Sequence, residues 1–404
     1  MTNSADIYDV AIAGAGPAGT SAAIHLATQG ARVLLVEQKR FPRAKLCGEF
    51  ISPECLQHFK RLRVADQMIS AGAATLTQTV FYSLNGRCVN VPSEWFGADG
   101  RALGLSRAEM DQKLLERAKS AGALVLEETQ ASDLLFDRGY VRGLRLKCGS
   151  EVKDYYALVT VDATGRSRAL ARKLHNREKP EPRSRSRLVA FKAHLENANV
   201  AEGACEIYFY PGGYGGLSSV EGGASNFCFI ASAKDVRRCG SDPEVVIRES
   251  VFRNPRAAYT LAHARARSEW LSVSLESFGR RKLVPAEGLL TIGDAAAFID
   301  PFSGSGMLIA LESGELAAQT ITNQLERLRR NASFAPLARE YQVEYGKKFD
   351  RCVRSGSLLR RAAFVPSLAE AAILFFGTST QLRRKVARTT RPSQNLETPP
   401  TGVC

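Results

Sequence analysis

The chain reads as an α/β protein. A doubly wound domain is interrupted by an inserted mixed or antiparallel sheet and followed by a C-terminal helical segment. Three observations predict this. Residues 7–37 run strand, glycine turn, helix, strand. A second strand–turn–helix unit lies far away, at 288–328. Between the two, residues 75–91 and 188–232 alternate with the period of strands rather than helices.

The first unit is the most informative. Val10–Ala13 is a short apolar run suited to a strand buried on both faces. Gly14-Ala15-Gly16-Pro17-Ala18-Gly19 is a G-x-G-x-x-G turn, Ser21–Thr28 has helical spacing, and Gly30 closes that helix. Arg32–Val36 is the next strand, with Glu37 at its end, 18 residues after Gly19. In a Rossmann-like unit Gly14 makes the tight turn and Gly16 lets backbone approach a pyrophosphate. Gly19 lets helix and strand pack closely, and Glu37 can accept a ribose hydroxyl. The helix start, with Ala18 in its first turn, offers free N–H groups to phosphate. A glycine turn alone is weak evidence; the strand before it, the helix after it and the acid beyond give it meaning.

With 404 residues, 45% hydrophobic and 24% charged, the composition is that of a globular enzyme with room for two domains. No apolar run is long enough to cross a bilayer, and residues 1–6 do not read as a signal peptide. Nine scattered cysteines show no zinc spacing, so no metal is expected, and they suit a reducing, cytoplasmic setting. The net charge of +14 is concentrated in Arg183/Arg185/Arg187, Arg280-Arg281-Lys282, Arg360-Arg361 and Arg383-Arg384-Lys385. Such a surface attracts an anionic membrane or an acidic carrier, or is simply a solvated basic face. No nucleic-acid-binding motif accompanies it, so no nucleic-acid partner is expected.

In order along the chain, residues 38–52 form a loop, and Pro53 opens a helix. Cys47-Gly48-Glu49 places a thiol and a carboxylate in that loop. They either face a substrate cavity as catalytic groups or, for Cys47, fill a small apolar site. Thr75–Val91 is a hairpin about Asn85-Gly86. Ser106–Ser120 is a helix with Ser106 as N-cap, Glu109 completing a capping box, and Arg107 and Asp111 one turn apart. Leu124–Glu127, a hairpin over 133–147 and Tyr155–Asp162 follow as strands, the last running into Ala163-Thr164-Gly165-Arg166-Ser167-Arg168.

Residues 177–187 read as a domain boundary. The sheet 188–232 carries Tyr208, Phe209, Tyr210, Tyr214, Phe227 and Phe229, the wall of an apolar pocket or ordinary core. Asp242–Arg253 is expected as a helix and Ser268–Leu275 as a strand. The second unit ends its strand at Gly293-Asp294, passes through Pro301, Gly304 and Gly306, and enters a long helix at Met307. Asp294 can bind polyol hydroxyls, and the positive helix end can stabilise negative charge. Residues 331–388 are mostly helical. Leu358–Phe376 either caps the sheet or lies on a membrane, and 389–404 is expected to be disordered.

GAGPAG with Glu37, then VDATGRSR, then GDAAAFIDPFSGSG before a long helix is an ordered triplet. It resembles the FAD-dependent oxidoreductases of the para-hydroxybenzoate-hydroxylase and geranylgeranyl-reductase superfamily over residues 5 to about 330. The resemblance implies bound FAD. Glu37 would lie at the adenosine ribose, Arg107 near the phosphates and ribityl chain, Asp294 on the ribityl chain, and Pro301–Gly306 beside the isoalloxazine. It implies NADPH or NADH as reductant. The FAD-binding domain is then expected over 1–76, 101–180 and 276–330, and a substrate-binding sheet domain over 77–100 and 181–275. Residues 331–388 form C-terminal helices.

PRAKLCGEFISP resembles the P-x-x-K-x-C-G segment of the reductases and the G-E-x-x-x-P segment of flavin-dependent halogenases. The W-x-W-x-I-P motif of halogenases is absent, and Trp95 and Trp270 stand alone. The reductases' Y-x-W-x-F-P motif is replaced by Tyr214-Gly215-Gly216-Leu217-Ser218. The expectation is therefore an NAD(P)H-dependent monooxygenase that hydroxylates an apolar aromatic or polyketide-like substrate. The alternative is a geranylgeranyl-reductase-like enzyme acting on carbon–carbon bonds of a lipid-like substrate. A halogenase-like enzyme and a non-enzymatic flavoprotein stand further off.

Overall fold

The computed structural model describes residues 7–97, 99–178, 187–275 and 278–393. The expected leader-free start, most of the 177–187 boundary with Arg183 and Arg185, and the tail beyond 393 lie outside them. Five parallel strands form the centre of a seven-stranded sheet, in the order Leu124–Leu126, Val33–Val36, Ile7–Ala13, Glu151–Asp162, Leu289–Thr291. The long strand Glu151–Asp162 changes partner along its length. Its first half pairs antiparallel with Tyr140–Cys148 and its second half lies parallel to Ile7–Ala13. Helices Pro17–Thr28, Arg107–Ser120 and Gly306–Arg329 cover one face, and the hairpin of Gln130–Asp137 and Tyr140–Cys148 covers the other. Burial on both faces is why the strands read as apolar runs rather than alternating ones.

Pro17–Thr28 and Gly306–Arg329 pack closely because Gly314 has no side chain. A Cβ there would lie 2.3 Å from the Ala18 carbonyl oxygen. Ser21 reinforces the contact by donating to the Leu311 carbonyl at 2.8 Å. Helix Ala335–Ala363 lies against the same layer, and Tyr341 donates to the Thr291 carbonyl at 2.8 Å.

The second sheet has eight strands. Gln78–Tyr82 and Cys88–Pro92 join Leu188–Glu196, Ala204–Tyr210, Gly213–Ser219 and Ser225–Ser232, with Leu271–Leu275 and Arg265–Ala266 at one edge. All pairings are antiparallel except Gln78–Tyr82 with Ala204–Tyr210. Helices Pro366–Thr378 and Thr380–Thr389 close over this sheet, and Ala369 and Ile373 pack with Phe209, Tyr214 and Ile230.

Three local expectations change. The helix expected over 242–253 stops at Glu249, and after buried Ser250, whose φ is −119°, it continues as a 3-10 turn, Val251–Arg253. The strand expected from Ser268 begins at Leu271. The capping box on Arg107–Ser120 is only half formed. Ser106 accepts from the Glu109 N–H, but the Ser106 N–H goes to Glu221 Oε2 at 2.8 Å, on the connection between two strands of the second sheet.

Candidate active site

The glycine turn is fixed by contacts that only glycine permits. Gly14 has φ +105°, and a Cβ on it would lie 2.3 Å from the Ala163 carbonyl oxygen; one on Gly19 would lie 1.9 Å from the Gly14 carbonyl oxygen. The middle motif exists to meet this turn. Asp162 accepts from the Thr164 and Ala171 N–H groups, and Ala163 donates to the Ala13 carbonyl at 2.8 Å. Gly16 differs from its neighbours. The nearest atom to a Cβ there is Arg107 Nη2 at 3.8 Å, so the space above it is open. Gly16 is also the N-cap and supplies no side-chain bond to the first turn, where Ala18 and Gly19 lie. The open space, the uncapped N–H groups and a guanidinium together could hold a phosphate.

Charge around the turn is organised by Asp111. It is fully buried and accepts from Arg107 Nε and Nη2, both at 2.8 Å, and from Arg43 Nη1 at 3.2 Å. The Arg107–Asp111 pair is therefore buried rather than an exposed helix-surface pair, and the carboxylate raises the Arg107 guanidinium further against the opposing effect of burial. Glu37 accepts from the Ala15 N–H at 3.1 Å, the Lys39 N–H at 3.0 Å and Arg43 Nη2 at 3.4 Å. A carboxylate has about four acceptor positions, so one remains for a hydroxyl.

Asp294 follows the strand Leu289–Thr291, half-buried, with no hydrogen bond to its carboxylate among the described residues. Burial raises its carboxyl above the usual range, against the charges of Arg166, Arg107 and Lys45. Gly304 takes φ +62° after the Pro301–Ser303 turn, and the long helix begins at Gly306 with no side-chain cap. Nothing lies within 4 Å of a Cβ built on Gly306. Met307 points its side chain into the core, so only its backbone faces the loop. An unpartnered carboxylate, two uncapped helix starts and an open cradle over Gly16 fit a dinucleotide such as FAD. No group of three or more His, Cys, Asp or Glu among the described residues could hold a metal ion.

An apolar cavity of about 220 Å³ lies beyond the Pro301–Gly304 loop. Phe81, Phe209, Tyr214 and Ile230 of the second sheet form its wall, Pro301, Phe302 and Gly304 its inner end, and Ile373, Phe376 and Val386 its outer cover. Three of its hydroxyls are turned to protein partners. Tyr214 donates to Asp300, Ser93 to the Leu76 carbonyl, and Thr390 to the Ala387 carbonyl.

Cys47 and Glu49 stand elsewhere. Of residues 38–52, Gly48 and Phe50 line the cavity, and Cys47 and Glu49 do not. Glu49, 1% exposed and at φ +53°, accepts from Lys192 Nζ at 3.0 Å, pairs with His194 Nε2 at 2.6 Å and accepts from the Arg107 N–H at 2.9 Å. Burial alone would raise its carboxyl, but the hydrogen bond with His194 and the charge of Lys192 outweigh this and hold it below the usual range. Its carboxylate fastens the loop to the second sheet, which differs from the expected role facing substrate. Burial pushes the Cys47 thiol up, which disfavours its thiolate, and Asn226 anchors its carbonyl at 3.1 Å. Lys192 and His194 were not singled out from sequence as site groups, since their partner Glu49 lies 143 and 145 residues away.

A dinucleotide cradle set against a sheet-walled apolar cavity defines an FAD-dependent oxidoreductase. The chain belongs to the FAD binding domain family, which matches residues 7–326. It is 26% identical over 319 residues to the digeranylgeranylglycerophospholipid reductase of Methanosarcina mazei, covering 78% of this chain and 75% of that one. It is 28% identical over 336 residues to the menaquinone reductase of Mycolicibacterium smegmatis, covering 78% and 76%. The flavin-dependent brominase Bmp2 superposes with a TM-score of 0.78 at 21% identity over 95% of this chain and 93% of that one, a likeness of fold.

Proposed function

We propose that this protein is an FAD-dependent reductase of carbon–carbon double bonds in a lipid-like substrate, with NADPH or NADH as reductant. The observation that carries this reading is the cavity. Most of its wall is apolar, three of its hydroxyls are spent on protein partners, and among the described residues its charged lining is limited to Arg383 and Arg391, so its interior mainly offers contact to an apolar chain. The likeness to two reductases, one of them acting on a lipid by its name, supports the same choice. When bound, FAD supplies the two-electron carrier between nicotinamide and substrate. The chain's own groups do the rest. Gly16 and the helix start hold phosphate, Asp294 holds the polyol, and Arg107 sets positive charge beside both. The Pro301–Gly304 loop separates this cradle from the cavity, and the helical cover keeps water out.

The monooxygenase reading keeps one support. The aromatic wall of Phe81, Phe209, Tyr214 and Phe302 also suits a flat ring. Mass spectrometry separates the two. Incubation with a polyprenyl substrate and NADPH is expected to give a product two mass units heavier, in air or without it. A product sixteen units heavier that requires oxygen would favour hydroxylation.

Delivery of such a substrate fits the cover's outer face. Leu368, Leu374 and Phe375 are exposed there, on the helix that precedes the basic Arg383-Arg384-Lys385 run. Apolar side chains beside cations match an anionic bilayer surface. Among the described residues no helix is long and apolar enough to cross a membrane.

A further inference from the structure

Two charged side chains line the otherwise apolar cavity, Arg383 and Arg391. Their situations differ. Arg391 is matched: its guanidinium lies 3.1 Å from Glu54 Oε1 and donates to Ser305 Oγ at 2.6 Å. Arg383 has no carboxylate within 4 Å among the described residues. It reaches only the Phe376 carbonyl at 3.5 Å and Thr380 Oγ1 at 3.4 Å, both at the limit of a hydrogen bond. Its Nε is buried with no partner, and the guanidinium stands 5.5 Å from the centre of the Trp95 ring. Arg383 is half-buried; a partly desolvated cation without a counter-charge is costly, and the aromatic face offsets only part of that cost. The missing partner is an anion, and the cavity is where it can enter.

We infer that Arg383 is the head-group subsite of this cavity, and that the substrate is an amphiphile with an apolar chain and a phosphate or carboxylate head. The position fits. Arg383 sits in the first turn of Thr380–Thr389, and Thr390 at its far end accepts from Ser305 Oγ, just before the helix Gly306–Arg329. Seven residues at helical rise set the head about 10 Å from that loop. The apolar chain, rather than the head, then lies at the inner end of the cavity by Pro301 and Gly304. The planar guanidinium suits a bidentate oxyanion, and Trp95 holds it in place.

The inference rests on the reading of this cavity as the substrate site, and its test reads binding rather than turnover. Holoenzyme is titrated calorimetrically with farnesyl phosphate, farnesoic acid and farnesol, which share one chain and differ in the head. The wild type is expected to bind at least one anion about tenfold or more tighter than farnesol. Whichever anion is tighter identifies the head. Arg383→Gln is expected to bring that anion down to the affinity of farnesol while farnesol itself is unchanged. Arg383→Lys is expected to keep most of the preference, and an unaltered flavin spectrum in both variants shows that they are folded. Equal binding of all three probes by the wild type overturns the inference, as does a preference that survives in Arg383→Gln. Binding of none of them overturns both the inference and the assignment of the cavity to an apolar substrate.

Discussion

Glu49 and Lys192 form an ion pair at 3.0 Å, with side chains 1% and 3% exposed, that ties the cofactor-side loop to the second sheet. His194, two residues along the same strand, takes the other carboxylate oxygen at 2.6 Å. Removing one member of a buried pair strands the other charge. Lys192→Met is therefore expected to destabilise the protein by about 3 kcal/mol. Adding Glu49→Gln to it should cost clearly less than the sum of the two single changes. Urea unfolding of the four proteins measures the coupling; strictly additive losses would mean that the pair carries none.

The glycines of the turn should separate into two kinds. Gly19→Ala puts a Cβ 1.9 Å from the Gly14 carbonyl and is expected to cost about 3 kcal/mol of stability. Gly16 has an ordinary φ of −73° and open space above it. Gly16→Val is expected to fold normally and to lose FAD. Thermal unfolding and the ratio of flavin to protein absorbance, read together, check both. A Gly16→Val protein that purifies with full flavin would remove the phosphate from this position.

Stability should fall at alkaline pH through His58. Its ring lies 3.2 Å from both Glu312 and Glu315 and 2.9 Å from Arg61, with Lys348 beside Glu312 and His25 beside Glu315. Burial opposes its charging, but the hydrogen bonds to Glu312 and Glu315 prevail and raise its pKa above 6.5. A raised pKa contributes stability that is fully present below 6.5 and is lost as pH rises through the folded value. The wild type should lose more stability between pH 6 and pH 9 than His58→Gln does. Parallel losses in the two proteins would rule out this linkage.

The exposed cover predicts membrane affinity. Sedimentation with phosphatidylglycerol vesicles is expected, with little on phosphatidylcholine, and Leu368→Ser/Phe375→Ser should reduce it several-fold. Equal recovery on both lipids would argue against an anionic docking surface.

What could be read from the sequence was what depends on neighbours in the chain. The turn at Gly14, Gly16 and Gly19, the acid at Glu37 and the strand end at Asp294 are local patterns, because a tight turn and a helix start constrain adjacent residues. The aromatic strand residues likewise announced a sheet. The unread part consists of distant pairings. Glu49 finds Lys192 across 143 residues, and Glu221 displaces Glu109 at the Ser106 N–H across 115. No periodicity encodes either. The cavity's cover was open between sheet and membrane for a related reason. Ile373 is buried while Phe375 is 58% exposed, so one helix packs on the sheet and also presents an apolar outer face.

The most direct test of the account is an equilibrium titration of FAD into flavin-depleted protein, comparing the wild type with Asp294→Ala. The unpartnered carboxylate of Asp294 is expected to accept hydrogen bonds from the bound polyol. Its removal should weaken FAD binding about tenfold or more while leaving the unfolding midpoint of the flavin-free protein within a degree or so. Equal FAD affinity in the two proteins would contradict the assignment of this cradle.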